Sequence, residues 1–598
     1  MTTYVIDFET GPYDPTLKSQ PHAYGLEPYR EEFHTTWFCV VGSNGYHKVI
    51  SHKDSNYKND LLTELAFLNG KVVFAHNAGF DISCCLSVCN KDLLMPIKWR
   101  DSALLAKWVE NSQANEHNSY ALKACVERHL PDEQTFIDMK DKATNDPAYW
   151  AARVLEDCRV TLKLVEVLLA KLPAEQYNGF IIEQACLLPL AEATMQGIRL
   201  DEYAIDLLRL QYQVKINTLC QELGVLETTI SSPAKLGQLL FDQWDYEPIS
   251  KTATGKASTR AGDIKMLIFK NQEDSRLAKL ATIKSLITVR NKYITSFQEC
   301  IKYLGEPVLR PRIKLFNSYT GRATYSSKLA KKFSVAIAFH QLPRKFKEIK
   351  KVMIAPKGYR ILYGDFASQE IRLIAEYSQD PVMLEALNQN KDLHAIMAEG
   401  VFGTPYDTIV AKKDIDEAIK NIRDGGKMIN LSSQYRIGSN TFVVKAFEQY
   451  DKVITKREAD HYLGSYKKTF KGIPEYWKFA IRFAHANGFA STLSGRRYGI
   501  TKMDWSGESS AINTPIQGSG ADLLELVIAL VGKQFPQLIF QLTVHDSVSW
   551  LIPDSMNPEE VTSYVNNIDY SKYYGHGFSV SFPLDFAIGP NFADLKPL

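Results

Sequence analysis

Three regimes of apolar patterning succeed one another along the 598 residues. In the first, short apolar runs predict strands at Tyr4 to Phe8, in WFCVVG from Trp37 and in KVVFAH from Lys71, and a 3.6-residue period predicts helices over Ala103–Val109 and Ala151–Leu172. That is an α/β unit. Near Leu188 the pattern becomes almost wholly helical, with long runs through Glu202–Leu223 and Ser275–Leu304. A polar stretch holding Thr252, Thr254, Gly255, Lys256 and Thr259 joins them, which reads as a helical arm with a flexible loop. From about Arg310 onward, strands such as RILYGDF and IFQLTVHD alternate with helices, giving an α+β or α/β body. No internal repeat is visible, and at roughly 150 residues per domain the length suggests about four folding units.

Composition narrows the class. The chain is 45% hydrophobic and 23% charged, which excludes a disordered or low-complexity protein. A net charge of +2 neither demands nor excludes nucleic acid, because a basic channel can be offset by acidic surface elsewhere. Locally, Lys328, Lys331, Lys332, Arg344, Lys345, Lys347, Lys350 and Lys351 interleave with Phe333, Phe339 and Phe346. This stretch reads either as a track for a phosphate backbone or as a solvated basic face. The nine cysteines form no regular framework, so reduced thiols are expected. Cys84, Cys85 and Cys89 are either a metal site or, without a second CxxC or paired His, a buried helix face. No stretch of 18 apolar residues and no leader-like N-terminus appear, so the expectation is no membrane and a cytoplasmic location.

Two sets of carboxylates carry the candidate chemistry. Asp7 and Glu9, two apart on a predicted strand, share one side of the sheet. Asp81 follows the strand KVVFAH, and Asp157 lies on the helix carrying LEDCRVTL. Four hard oxygen donors suit Mg²⁺ or Mn²⁺, two of which can activate water and stabilise a leaving oxygen in phosphodiester hydrolysis. In the last regime Asp365 ends the strand RILYGDF, and Asp546 sits at the turn of a predicted hairpin between IFQLTV and SVSWLI. Between them Arg423, Lys427, Leu431 and Tyr435 recur every four residues, one slowly drifting helical stripe. Two cations followed by two larger apolar groups would meet first a triphosphate, then a sugar and base. A solvated amphipathic helix would show the same spacing.

The motifs around these residues carry a resemblance. DFET, HNAGFD, DSALLAKW, YALKACVERHL and EDCRVTL, in that order over roughly residues 1 to 175, are similar to the proofreading exonuclease of the DEDD superfamily. DFASQEIRLIAEYSQD, RDGGKMINLSSQY and VHDS resemble motifs A, B and C of the DNA polymerase I family, family A. NTPIQGSGADLLEL, SPAKLGQLLF and GPNF also match that family.

The resemblance implies a multidomain α/β protein: a ribonuclease H-like 3′–5′ exonuclease domain over 1–180, a thumb with connecting helices over 181–310, and palm and fingers over 311–598, the fingers at about 385–480. It implies two Mg²⁺ per active site, held by Asp7, Glu9, Asp81 and Asp157 in one and by Asp365 and Asp546 in the other, with Mn²⁺ as a substitute. Glu370 would exclude a ribonucleotide's 2′-hydroxyl, His394 and Arg423 would lie near the incoming phosphates, and Arg322, Arg496, Gln517 and His545 would face DNA. The partners implied are primer-template DNA and dNTPs, with a helicase or other replication proteins, for a monomer. Because the first motif begins at residue 7, the reading has no room for a 5′-nuclease and points to a phage or plasmid replicase. A single-subunit RNA polymerase and an inactive DNA-binding scaffold are the rivals.

Departures from the family mark where transfer stops. Arg153 stands where a Tyr usually precedes the last Asp by four, and Ala152 offers no His. The guanidinium would either bind the scissile phosphate or pair with Glu156 or another acid. Leu431 replaces an aromatic residue, Arg436 a glycine, and Ser547 the glutamate of motif C.

Overall fold

The computed structural model describes residues 2–11, 28, 34–111, 119–133, 146–316, 318, 320–325, 339, 342 and 346–598. Five strands, β1 (Thr3–Gly11), β2 (His34–Gly42), β3 (His47–Ser51), β4 (Val72–Ala75) and β5 (Lys98–Asp101), form the first sheet in the order β3-β2-β1-β4-β5. The central β1 runs antiparallel to β2 and parallel to β4. It is apolar on both faces until Asp7, and the register shifts between Glu9 and Thr10. Helix α1 (Gly79–Val88) follows β4, and α2 (Ser102–Val109) starts at Asp101, whose carboxylate accepts from the Ala103 and Leu104 amides. Helix α3 (Pro147–Lys171) starts at an Asp146 cap followed by Pro147. It lays Val154, Cys158, Thr161, Val165 and Leu168 against β1 and β2.

Helix α4 (Ala174–Gln184) runs through residue 180, and its Phe180 joins an apolar core that extends into the C-terminal body. In the arm, α5 (Glu202–Leu223) packs on α6 (Ser275–Val289). The single helix expected over Ser275–Leu304 is interrupted at Arg290–Ile294 by a π-helical turn before α7 (Thr295–Leu304). The wider turn rotates the residues beyond it around the axis, and Arg290 there pairs with Glu227 at 2.6 Å. The polar stretch between the arm helices is a hydrogen-bonded turn rather than an open loop: the Thr252 amide donates to Lys256 O at 2.7 Å, and Gly255 supplies a φ of +80°.

The second sheet has the order β7-β8-β6-β9-β10, from β6 (Tyr359–Phe366), β7 (Ile539–Val544), β8 (Ser547–Pro553), β9 (Leu584–Gly589) and β10 (Lys596–Pro597). Leu362 and Phe366 of β6 are buried, as are Leu584 and Phe586 of β9, while Asp365 and Asp585 lie on the opposite face. Helices α8 (Gln369–Ser378), α9 (Leu393–Phe402), α10 (Glu417–Ser433) and α11 (Trp505–Gln534) complete this body. By length and composition α11 is apolar enough to cross a membrane, but 78% of its apolar window is buried inside the protein, which makes it a core helix here. No disulfide occurs among the described residues. Cys84 and Cys85 are buried on α1 and burial pushes both thiols well up, so they are poor thiolate ligands.

Candidate active sites

In the second sheet, the register sets Asp365 opposite Ser547 on one side and opposite Asp585 on the other. The β7–β8 turn is His545–Asp546, with His545 at φ +61°, and the Phe366 amide donates to Asp546 O at 3.1 Å. Motif A thus meets motif C at one strand end. Asp365 and Asp546 line a common cleft of about 390 Å³ with Tyr363, His545 and Lys350. Ser547 cannot stand in for the missing glutamate: its hydroxyl donates to Val544 O at 2.8 Å and the residue is buried. Asp585, which no motif singled out, is the additional carboxylate on this face, because residues directly opposite on antiparallel strands point the same way.

The stripe on α10 is present only in part. Arg423, Lys427 and Leu431 lie on the helix, but it ends at Ser433, so Tyr435 belongs to the turn beyond. Arg436 has φ +56°, the backbone that favours the glycine the family uses. That conformation costs on the order of 1–3 kcal/mol. It is offset by an ion pair from Arg436 Nη2 to Glu508 Oε2 at 2.7 Å and by the Trp505 ring at 4.7 Å. A Cβ on Gly426 would lie 2.2 Å from His394 O, so the glycine lets α10 approach α9 closely.

That approach sets the state of His394. Asn430 Nδ2 donates to Leu393 O at 2.9 Å, which fixes its amide, and the same nitrogen lies 3.1 Å from His394 Nδ1. Nδ1 therefore accepts and Nε2 carries the proton. Burial, with help from Arg423, Lys427 and Lys413 and against Asp392, lowers His394 to about 4, so it is a neutral donor at neutral pH. Asp392 caps α9 and accepts from Arg423 Nε at 2.6 Å and Lys413 Nζ at 3.1 Å. Burial alone would raise its carboxyl, but the two cations outweigh that and bring it to about 2. Arg423 is thereby held beside His394.

Glu370, in the first turn of α8, accepts from Arg322 Nη2 at 2.8 Å on Oε1, and from Gln434 Nε2 and the Tyr435 hydroxyl at 2.9 Å each on Oε2. Arg322 also reaches Gln517 Oε1 at 3.4 Å. Arg322, Gln517 and His545 line a cleft of about 210 Å³.

Arg496 is a correction. The reading that turned it toward DNA fails because its side chain is 3% exposed, enclosed by Glu183, Asp522 and Glu525 at 2.9, 3.0 and 2.5 Å. The rings of Trp108 and Phe316 flank it at 5.0 and 4.8 Å. A family resemblance says nothing of a side chain's burial. Arg496→Ala would strand three buried carboxylates and is expected to cost about 3–5 kcal/mol, read as a lowered urea midpoint. A variant that unfolds with the parent yet loses DNA affinity would restore the DNA-contact reading. Of the basic stretch, Lys328, Lys331, Lys332, Phe333, Arg344 and Lys345 lie outside the described residues.

In the first sheet, carboxylate oxygens of Asp7, Glu9 and Asp157 come within 4.8 Å of one another. Asp81 is buried at the start of α1, outside that group, yet close enough to help burial raise Asp7. Burial also raises Glu9 to about 6, with Arg153 opposing and Asp157 adding to the rise. Arg153, one third exposed, pairs with an acid other than Glu156. Its Nε sits 2.9 Å from Glu9 Oε1 and 3.7 Å from Asp157 Oδ2, with the Trp150 ring at 5.3 Å.

Comparison with known proteins gives this geometry a class. The whole chain follows the fold of a polymerase domain: it matches the POL domain of Pol1 from M. smegmatis, solved with DNA primer-template and dNTP, at a TM-score of 0.74 and 18% identity, covering 99% of this chain and 95% of that one. Among curated proteins it is similar to DNA polymerase I of Lactococcus lactis subsp. lactis, 24% identical over 88% of this chain and 58% of the relative. DNA polymerase I of Pseudomonas aeruginosa is 26% identical over 77% and 50%, so the chain spans little more than half of these relatives. The sequence profile of DNA polymerase family A matches residues 205–594. The chain belongs to DNA polymerase family A.

Proposed function

We propose that the chain is a template-directed DNA polymerase that extends a primer 3′-end with dNTPs and that its N-terminal unit, a ribonuclease H-like domain, is a 3′–5′ proofreading exonuclease. The observation that carries the reading is the meeting of Asp365 and Asp546 at one strand end, lining one cleft, in a family A chain. The mixed strand order of the first sheet and the acidic triad on its central strand and α3 support the second activity.

Hard carboxylate oxygens are the donor set that Mg²⁺ or Mn²⁺ prefers, and in the first sheet three of them lie close enough to share an ion. When bound, such ions activate the attacking oxygen and stabilise the leaving one. The chain's own groups do the rest. Arg423 and Lys427 bind the triphosphate, and His394 donates from Nε2 to a phosphate oxygen. Tyr435 meets the base, and Arg322, Gln517 and His545 read the minor-groove acceptors that every correct pair presents. Glu370 fills the space a 2′-hydroxyl would need.

A gel assay of primer extension followed by dNTP withdrawal tests both activities together. Extension with NTPs in place of dNTPs would favour the RNA polymerase reading, and neither extension nor degradation would favour the inactive scaffold. Glu370→Ala is expected to relax the preference for dATP over ATP by roughly 10²-fold. An unchanged preference would remove the sugar-excluding role.

A further inference from the structure

A carboxylate works as a steric barrier only if it is pinned. A glutamate has three rotatable side-chain bonds, and one left free would swing aside for an extra hydroxyl at little cost. Glu370 is held by three donors, and they are not equivalent. Arg322 lines the cleft shared with Gln517 and His545 and also touches Gln517, so bound DNA competes for its guanidinium. Tyr435 lies in the turn beyond α10, where the proposed reading puts the incoming base.

Gln434 differs from both. It is 3% exposed, and its carbonyl accepts from the indole of buried Trp477 at 3.0 Å, which fixes the backbone at the end of α10. Its Nε2 faces Glu370 Oε2 at 2.9 Å. The orientation is chemically required, since the amide oxygen in that place would face a carboxylate oxygen.

We propose that Gln434 is a specificity-determining residue: its amide pins the Glu370 carboxylate where it excludes a 2′-hydroxyl, so sugar choice depends on a buried side chain that is itself shielded from the nucleotide. The inference rests on the proposed role of Glu370. Gln434 lies inside the stretch RDGGKMINLSSQY but off the four-residue stripe from Arg423 to Tyr435, and its importance comes from the end of α10 meeting the first turn of α8.

The test measures kcat/KM for dATP and for ATP with Gln434→Met, which keeps length and removes the donor. Gln434→Glu, Glu370→Ala and the Glu370→Ala/Gln434→Met double variant are measured in parallel. The readout is the dATP-to-ATP ratio, in which any loss of folded enzyme cancels. Gln434→Met should lower the ratio about tenfold, the usual weight of one hydrogen bond to a charged group, through a lower KM for ATP. Gln434→Glu, which sets one carboxylate against another, should lower it at least as far. In the double variant the methionine should add nothing to the effect of Glu370→Ala.

If Glu370→Ala relaxes the ratio while Gln434→Met and Gln434→Glu keep the parent value, the inference is overturned and the sugar-excluding role stands. If the methionine lowers the ratio equally with and without Glu370, Gln434 acts by another route and the inference is again overturned. An unchanged ratio in Glu370→Ala would remove the role itself and the inference with it.

Discussion

Asp365→Ala and Asp546→Ala are each expected to abolish primer extension, by about 10³-fold or more, while leaving the proposed 3′-end degradation, and the Asp7→Ala/Glu9→Ala pair is expected to do the reverse. The expectation follows from the architecture. The two sets of carboxylates belong to different sheets, one set at the end of β6 and the β7–β8 turn, the other on β1 and α3. Each phosphoryl transfer depends on charge stabilisation supplied at its own site. With Ser547 committed to the turn, no neighbouring glutamate in motif C softens the loss of Asp546. Rates of extension and of single-strand degradation measured on the same preparations decide the matter. Near-parent extension by Asp365→Ala would show that motif A has been misassigned.

Arg153→Ala is expected to slow single-stranded degradation by about 10² to 10³-fold and to leave extension unaffected. Arg153 sits among the carboxylates, 2.9 Å from Glu9, with its guanidinium over Trp150. A guanidinium stays protonated, so it cannot take a proton from water as a base. It can offer paired N–H donors to a phosphate brought to the triad. Until then it offsets the repulsion between Glu9 and Asp157. Arg153→Lys should recover part of the rate, since it keeps the charge and loses the fork. An undiminished rate in Arg153→Ala would show that the ion pair is structural only.

The parts of this molecule legible in the sequence were those set by local period. The strand at Tyr4, the helix over Glu202–Leu223 and the hairpin around Asp546 follow from a short apolar run, from a period of 3.6 and from a two-residue turn. The parts that were not depend on which distant segments meet. Asp585 gains its place from pairing with β6 across more than 200 residues, and strand register of that kind leaves no local trace. Gln434 reads as one more polar residue at a helix end until α8 is set against it. Asp392, two residues before His394, had a helix-cap signal that was available and unused. Arg496 shows the opposite failure, a residue chosen by family resemblance whose neighbours are three carboxylates. Arg436 and Ser547 show how departures from a pattern are absorbed, one by an ion pair and a ring, the other by a bond within its turn.

The cluster around Arg496 has a mechanical consequence. Glu183 comes from α4, Asp522 and Glu525 from α11, and Trp108 from α2 of the first α/β unit, so one buried cation rivets the two halves together. Pulling that joint apart would break three buried ion pairs and two ring contacts together, so it gives as one unit. In the proposed enzyme the two workplaces are then stations on a rigid frame. On the proposed reading, correction of an error would be carried by the nucleic acid, whose frayed end would have to travel between them over a distance that the protein sets.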